Sequence, residues 1–249
     1  MLRYYRATTW RINFLMMLSM MPIDLVRNIS EVTRRIRAAE IAAGREQSSV
    51  SLLAVSKTKP PELIRLAHAH GQTAFGENYA QEMVEKAQLL ADLPLEWHFI
   101  GPIQSNKTAG IATYCDWVHS VDRFKIARRL SEQRPANKNP LNVLIQVNVS
   151  REPSKSGVLP EALPDLAQRM RGLPGISLRG LMAIPAPVGP NENPRQPFKA
   201  LRELKESLAL ATPGFDILSM GMSADLEEAI AEGANIVRIG TDIFGARYN

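Results

Sequence analysis

Eight short apolar runs, separated by segments with helical spacing, recur from Ser51 to Gly240. The runs are SLLAVS, TAFGEN, EWHFIG, DWVHSV, NVLIQVNV, ISLRGLMAI, FDILSM and ANIVRIG. Their near-continuous apolar character suits strands covered on both faces, as in a parallel sheet. Between them PPELIRLAHAHG, YAQEMVEKAQLLADL, QSNKTAGIATY, DRFKIARRLSEQ, LPEALPDLAQRMRGL, FKALRELKESLALA and SADLEEAIAEG read as helices, with Asp122 and Ser223 placed to act as N-caps. An opening helix precedes the first strand. Leu25, Ile29, Val32, Ile36 and Ala39 share one face of it, and Gly44 closes it. So many βα repeats in little over 200 residues predict a closed (β/α)₈ barrel with an extra N-terminal helix. An open doubly wound sheet is disfavoured, because no G-x-G-x-x-G follows a strand.

The chain has 249 residues, of which 45% are hydrophobic, enough for one large core. One barrel domain is expected over residues 23–249, preceded by an extension over residues 1–22. That extension has a basic start and an apolar run from Ile12 to Met21, but no small-residue cleavage site, and it reads as an upstream start rather than a leader. The run is too short for a membrane span, which needs about 20 apolar residues. Net charge is +5, but Arg3, Arg6 and Arg11 precede the first acid, Asp24, so the remainder carries 5 − 3 = +2. No nucleic-acid surface is suggested. The single cysteine, Cys115, excludes an intrachain disulfide and fits a reducing, cytoplasmic setting. The four histidines do not fall at metal-ligand spacing, so no metal is expected.

A barrel collects its chemistry at the carboxyl ends of its strands. Those ends carry, in order, Lys57; Glu77 and Asn78; His98 with Gly101; His119 and Ser120; Asn148; Met182; Ser219 with Gly221; and Arg238, Gly240 and Thr241. Lys57 stands where a strand stops, in a position that partly desolvates an ammonium and frees the amine to attack a carbonyl. The turns SMGMS and RIGT follow strands seven and eight, where barrels commonly hold a phosphate. A phosphate at one side and an aldehyde at the other describe pyridoxal 5′-phosphate.

The motifs LLAVSKTKP, FGENYAQE, EWHFIGPIQSNK, VLIQVNVSREPSKSGV, RGLMAIP, LSMGMSADLEEAI and VRIGTDIFGAR resemble the pyridoxal phosphate homeostasis protein family, in register from about Ile23 to Arg247. The resemblance implies the barrel of the alanine racemase N-terminal domain and attachment of pyridoxal phosphate to Lys57 as a Schiff base. By the same match Asn78 would lie near the cofactor's 3-hydroxyl. Ser219, Ser223, Gly240 and Thr241 would hold the phosphate, and Arg238 would face the pyridine nitrogen. Met182, Met220 and His98 would line the site.

The implied role is a non-catalytic, monomeric carrier that buffers the cofactor or delivers it to apo enzymes. An arginine at the ring nitrogen keeps that nitrogen unprotonated, which argues against carbanion chemistry. The chain ends at Asn249, just after the eighth strand, so no added domain is expected to supply a second base. Two alternatives stay open: an amino-acid racemase, and a regulator that binds partners in response to the cofactor. Lys59 is read as a solvated loop lysine, with a second cofactor-accepting amine as its alternative. The runs RRIR and RELKE are read as solvated surface.

Overall fold

The computed structural model describes residues 24–245, apart from residues 188, 190, 191 and 211. The extension over residues 1–22 lies outside the described residues, as does part of the Pro-rich loop between residues 185 and 197. Eight parallel strands close into a barrel in sequence order. They are β1 (Ser51–Val55), β2 (Ala74–Glu77), β3 (Glu96–Phe99), β4 (Trp117–Val121), β5 (Leu141–Gln146), β6 (Ile176–Met182), β7 (Ile217–Ser219) and β8 (Ile236–Ile239). Closure runs from Ser51 opposite Ile236 to Ala54 opposite Ile239. The expected (β/α)₈ barrel is therefore present, with strands a few residues shorter than the apolar runs.

The connecting helices are α2 (Pro61–Ala69), α3 (Ala80–Leu89), α4 (Thr108–Tyr114), α5 (Phe124–Glu132), α6 (Leu163–Met170), α7 (Gln196–Ala209), α8 (Leu226–Ala231) and α9 (Thr241–Phe244), preceded by the opening helix α1 (Leu25–Ala42). Phe75 and Phe99 from strands and Phe198 and Phe244 from helices are fully buried in one apolar cluster. Gly44 takes a positive φ of 64° just past α1, as a helix-closing glycine should. Two expected caps are corrected. Helix α5 is preceded by Arg123, while Asp122 pairs with the Arg123 guanidinium. Helix α8 starts after Asp225, whose carboxylate accepts from the Met222 N–H, and leaves Ser223 upstream in the loop.

Helix α1 does more than cover the barrel. Arg35, part of the RRIR run, donates to the Ser223 carbonyl at 3.0 Å, to Glu227 at 2.9 Å and to Asp242 at 2.9 Å. Asn28 Nδ2 donates to the Ile243 carbonyl at 3.0 Å. These bonds tie the loop after β7 to the turn after β8. Arg35 is thus a structural clasp rather than simple solvated surface.

Candidate functional site

Lys57 sits in a tight turn built from buried charge. Its neighbour Thr58 has φ of 62°, a left-handed conformation that costs a non-glycine residue roughly 1 kcal/mol or more unless its surroundings hold it. They do hold it. The Thr58 N–H donates to Glu82 Oε1 at 2.6 Å, and Lys86 Nζ donates to the Ser56 carbonyl at 2.8 Å. Lys86 also reaches Glu77 Oε1 and Glu82 Oε1, both at 2.7 Å, and Ser56 Oγ donates to Glu77 at 2.7 Å. Burial pushes the Glu77 carboxyl above its ordinary range, although Lys86 and Ser56 oppose the shift. A charge cluster on β2 and α3 thereby fixes the backbone on either side of Lys57. Glu77, a strand-end residue, serves the turn and does not face the cavity.

A cavity of about 390 Å³ opens at the carboxyl ends of the strands. Lys57, Asn78, Ser223, Arg238, Gly240 and Thr241 all line it, together with Lys59 and Met222. The ionisable groups among its described lining residues are Lys57, Lys59 and Arg238, all basic. Its size lies within the usual range of small-ligand sites and its charge suits an anion. Asn78 Oδ1 is buried without a hydrogen-bond partner. An orphaned acceptor of this kind costs about 1–3 kcal/mol, which a ligand hydroxyl or N–H recovers. Arg238 is buried, donating to Ser219 Oγ at 2.8 Å and to the Ala183 carbonyl at 2.9 Å. Burial lowers its pKa to about 10, with Asp225 opposing the shift, so it stays cationic at neutral pH.

Lys59 departs from its expected solvated position. It is 8% exposed, lies 3.5 Å from the Gly245 carbonyl, and burial moves its pKa below the ordinary lysine value. It therefore belongs to the cavity wall.

Asn78 owes its place to Gly101. A Cβ on Gly101 would come within 2.0 Å of the Asn78 carbonyl oxygen, so the two loops can cross this closely only with glycine there. Gly101→Ala is expected to destabilise the fold by about 2 kcal/mol and to weaken ligand binding roughly tenfold by displacing Asn78. Denaturant midpoints and a ligand titration check both numbers.

Four residues expected at the site are not among the lining residues of this cavity. Met182 and Met220 are fully buried and outside the cavity lining, whereas Met222, 40% exposed, supplies the methionine that the cavity contains. Ser219 is fully buried, with its hydroxyl between Arg238 and His119. His98 is buried on β3 and reaches Glu96 at 2.7 Å; both line a separate cavity of about 300 Å³ at the opposite end of the barrel. The walls contributed by Val55, Ile100, Ile184 and Met222 were not anticipated. Their only signal is an apolar residue beside a strand end, which every strand offers.

The sequence profile described as "Alanine racemase, N-terminal domain" matches residues 28–248. A pyridoxal phosphate homeostasis protein of Pseudomonas aeruginosa is 60% identical over 223 residues, covering 90% of this chain and 96% of that protein. One from Escherichia coli is 51% identical, covering 90% of this chain and 97% of that protein. The structure of PipY from Synechococcus elongatus with PLP bound is 34% identical, has a TM-score of 0.76, and covers 89% of this chain and 100% of that one. With the barrel, its lysine-bearing strand end and these likenesses in agreement, the chain belongs to the pyridoxal phosphate homeostasis protein family, built on the alanine racemase N-terminal domain.

Proposed function

We propose that this chain binds pyridoxal 5′-phosphate reversibly at Lys57 and buffers or delivers it, in the service of vitamin B6 and amino-acid balance. The observation that carries the reading is one basic cavity bringing Lys57 together with the unpartnered Asn78 oxygen and Arg238. Bound there, the cofactor supplies an aldehyde that reacts reversibly with a primary amine. Lys57 provides that amine from a turn held on both sides. Asn78 Oδ1, unpartnered at the cavity, would accept from the hydroxyl beside the aldehyde, and Ser223, Gly240 and Thr241 would hold the phosphate. Arg238 would hold the ring-nitrogen end.

The same residues favour holding over turnover. With a pKa of about 10, Arg238 donates a hydrogen bond at neutral pH without surrendering its proton, so it does not make the ring an electron sink. The reading adds a monomeric, cytoplasmic carrier whose recipients are apo forms of enzymes that use this cofactor. Among the described residues no helix is long and apolar enough to cross a membrane.

The test is a titration of the purified protein with pyridoxal phosphate, followed in the visible region. A yellow band that borohydride fixes to the peptide containing Lys57 is expected. Amino acids incubated with the loaded protein in D₂O should keep their α-protons. A missing band removes the cofactor reading, and α-proton exchange removes the non-catalytic one.

A further inference from the structure

A polar column runs through the barrel. From Arg238 Nη1 it passes to Ser219 Oγ at 2.8 Å, then to His119 Nδ1 at 2.9 Å. His119 Nε2 meets His98 Nδ1 at 2.9 Å, and His98 Nε2 meets Glu96 Oε1 at 2.7 Å. His119 is on β4 and Ser219 on β7, strands that are not neighbours in the sheet, so this link crosses the barrel interior. Barrel interiors are ordinarily filled by branched apolar side chains, and a continuous polar path there requires every link to be satisfied. The Trp117 ring stacks on His98 with an interplanar angle of 3°, holding the plane of the imidazole.

The two ends set the direction of the whole chain. A guanidinium only donates, so Ser219 Oγ must accept from Arg238. A carboxylate only accepts, so His98 Nε2 must carry a proton. With His98 Nδ1 as the acceptor between the two rings, the shared proton is on His119 Nε2. His119 is held neutral by burial, with His98 and Arg238 adding to the effect. Its bare Nδ1 therefore accepts from the Ser219 hydroxyl. In that arrangement every bond points from Arg238 toward Glu96.

We propose that Ser219, His119, His98 and Glu96 form one directed hydrogen-bond chain that orients Arg238 at the cofactor cavity, making Glu96 a positioning residue acting from the opposite end of the barrel. The inference rests on the cofactor reading for the meaning of Arg238, but the chain itself is testable without ligand. Glu96 has a half-exposed side chain and lies outside the lining of the Lys57 cavity, so its removal should leave the fold intact. Any effect of its removal on binding is therefore a long-range one, and the His119 ring nitrogens report whether it runs along the chain.

The experiment uses ¹⁵N-labelled full-length protein without ligand and a histidine-ring ¹H–¹⁵N correlation. His119 and His98 should both show the Nε2–H form. An Nδ1–H or doubly protonated ring at either position overturns the assignment. In Glu96→Ala the His119 ring nitrogens should shift, although two bonds separate them from the substitution, and pyridoxal phosphate should bind about threefold more weakly. Unchanged His119 nitrogens, or a shift with unchanged affinity, overturns the positioning role. If wild type shows both Nε2–H rings but no visible band with pyridoxal phosphate, the chain stands while the cofactor reading and the role resting on it fall.

Discussion

Lys57→Ala should abolish the visible band with pyridoxal phosphate and weaken binding by about a hundredfold or more, ~2.7 kcal/mol. On the proposed reading the loss is large because Lys57 would supply the reversible bond, whereas Asn78, Arg238 and the two turns would add ordinary polar contacts. The bonds that hold the turn, from the Thr58 N–H to Glu82 and from Lys86 to the Ser56 carbonyl, are left in place by the substitution. Lys59 sharpens the experiment, because it lines the same cavity and its amine is shifted toward the neutral form by burial. A full-amplitude band in Lys57→Ala, with borohydride label on Lys59, would transfer the role to the second amine. Absorbance titration and peptide mapping of both single variants decide the matter.

Lys86→Met should lower stability by about 3 kcal/mol, or roughly 10 °C in Tm for a chain of this size. The ammonium contacts Glu77, Glu82 and the Ser56 carbonyl at 2.7–2.8 Å, and both Lys86 and Glu77 are buried. Removing the cation strands a carboxylate away from water, and Glu77 Oε2 already lacks a partner. Glu77 can respond by taking up a proton, because burial has already raised its pKa above 4.5. Without Lys86 the folded-state value rises further. A carboxyl whose folded pKa exceeds its unfolded one loses stability as pH rises through the folded value. The variant's deficit relative to wild type should therefore widen as pH rises from the ordinary carboxylate range toward and beyond neutrality. Denaturant melts across that range check it, and a deficit independent of pH would mean that Glu77 does not carry the effect. Cofactor binding should weaken as well, since Thr58 and Ser56 lose part of what holds their turn.

The difference between what was and was not legible follows from where side chains point. At β1 the apolar run ends and Lys57 follows at once, so its location at the active end of the barrel needed no coordinates. His98 and Ser219 also lie at the ends of their strands, yet both point into the interior. A strand alternates its faces with period two, so an error of one residue in phase exchanges interior for exterior. Irregularities at Val118/Val121 between β4 and β5, and at Val143/Leu144 between β5 and β6, show that the phase is not constant around this barrel. The loop SMGMS illustrates the same problem at one residue's scale. Met220 and Met222 are chemically identical candidates, and the turn buries the first and exposes the second.

The amino-acid order by itself determined the barrel, its opening helix, the lysine-bearing strand end and the glycine- and hydroxyl-bearing turns after strands seven and eight. These are local properties, written in runs of apolar residues, in capping glycines and prolines, and in the residue that follows each run. The tertiary structure alone decided which strand-end residues share the cavity. It buried Lys59, set Lys86 between Glu77 and Glu82 beneath the Lys57 turn, and joined Arg238 to Glu96 through two histidines. Apart from Lys86–Glu82 within α3 and His98–Glu96 within β3, those contacts join different elements of the fold. Their existence depends on barrel closure and strand register, because spacing along the chain does not encode the distance across a closed sheet.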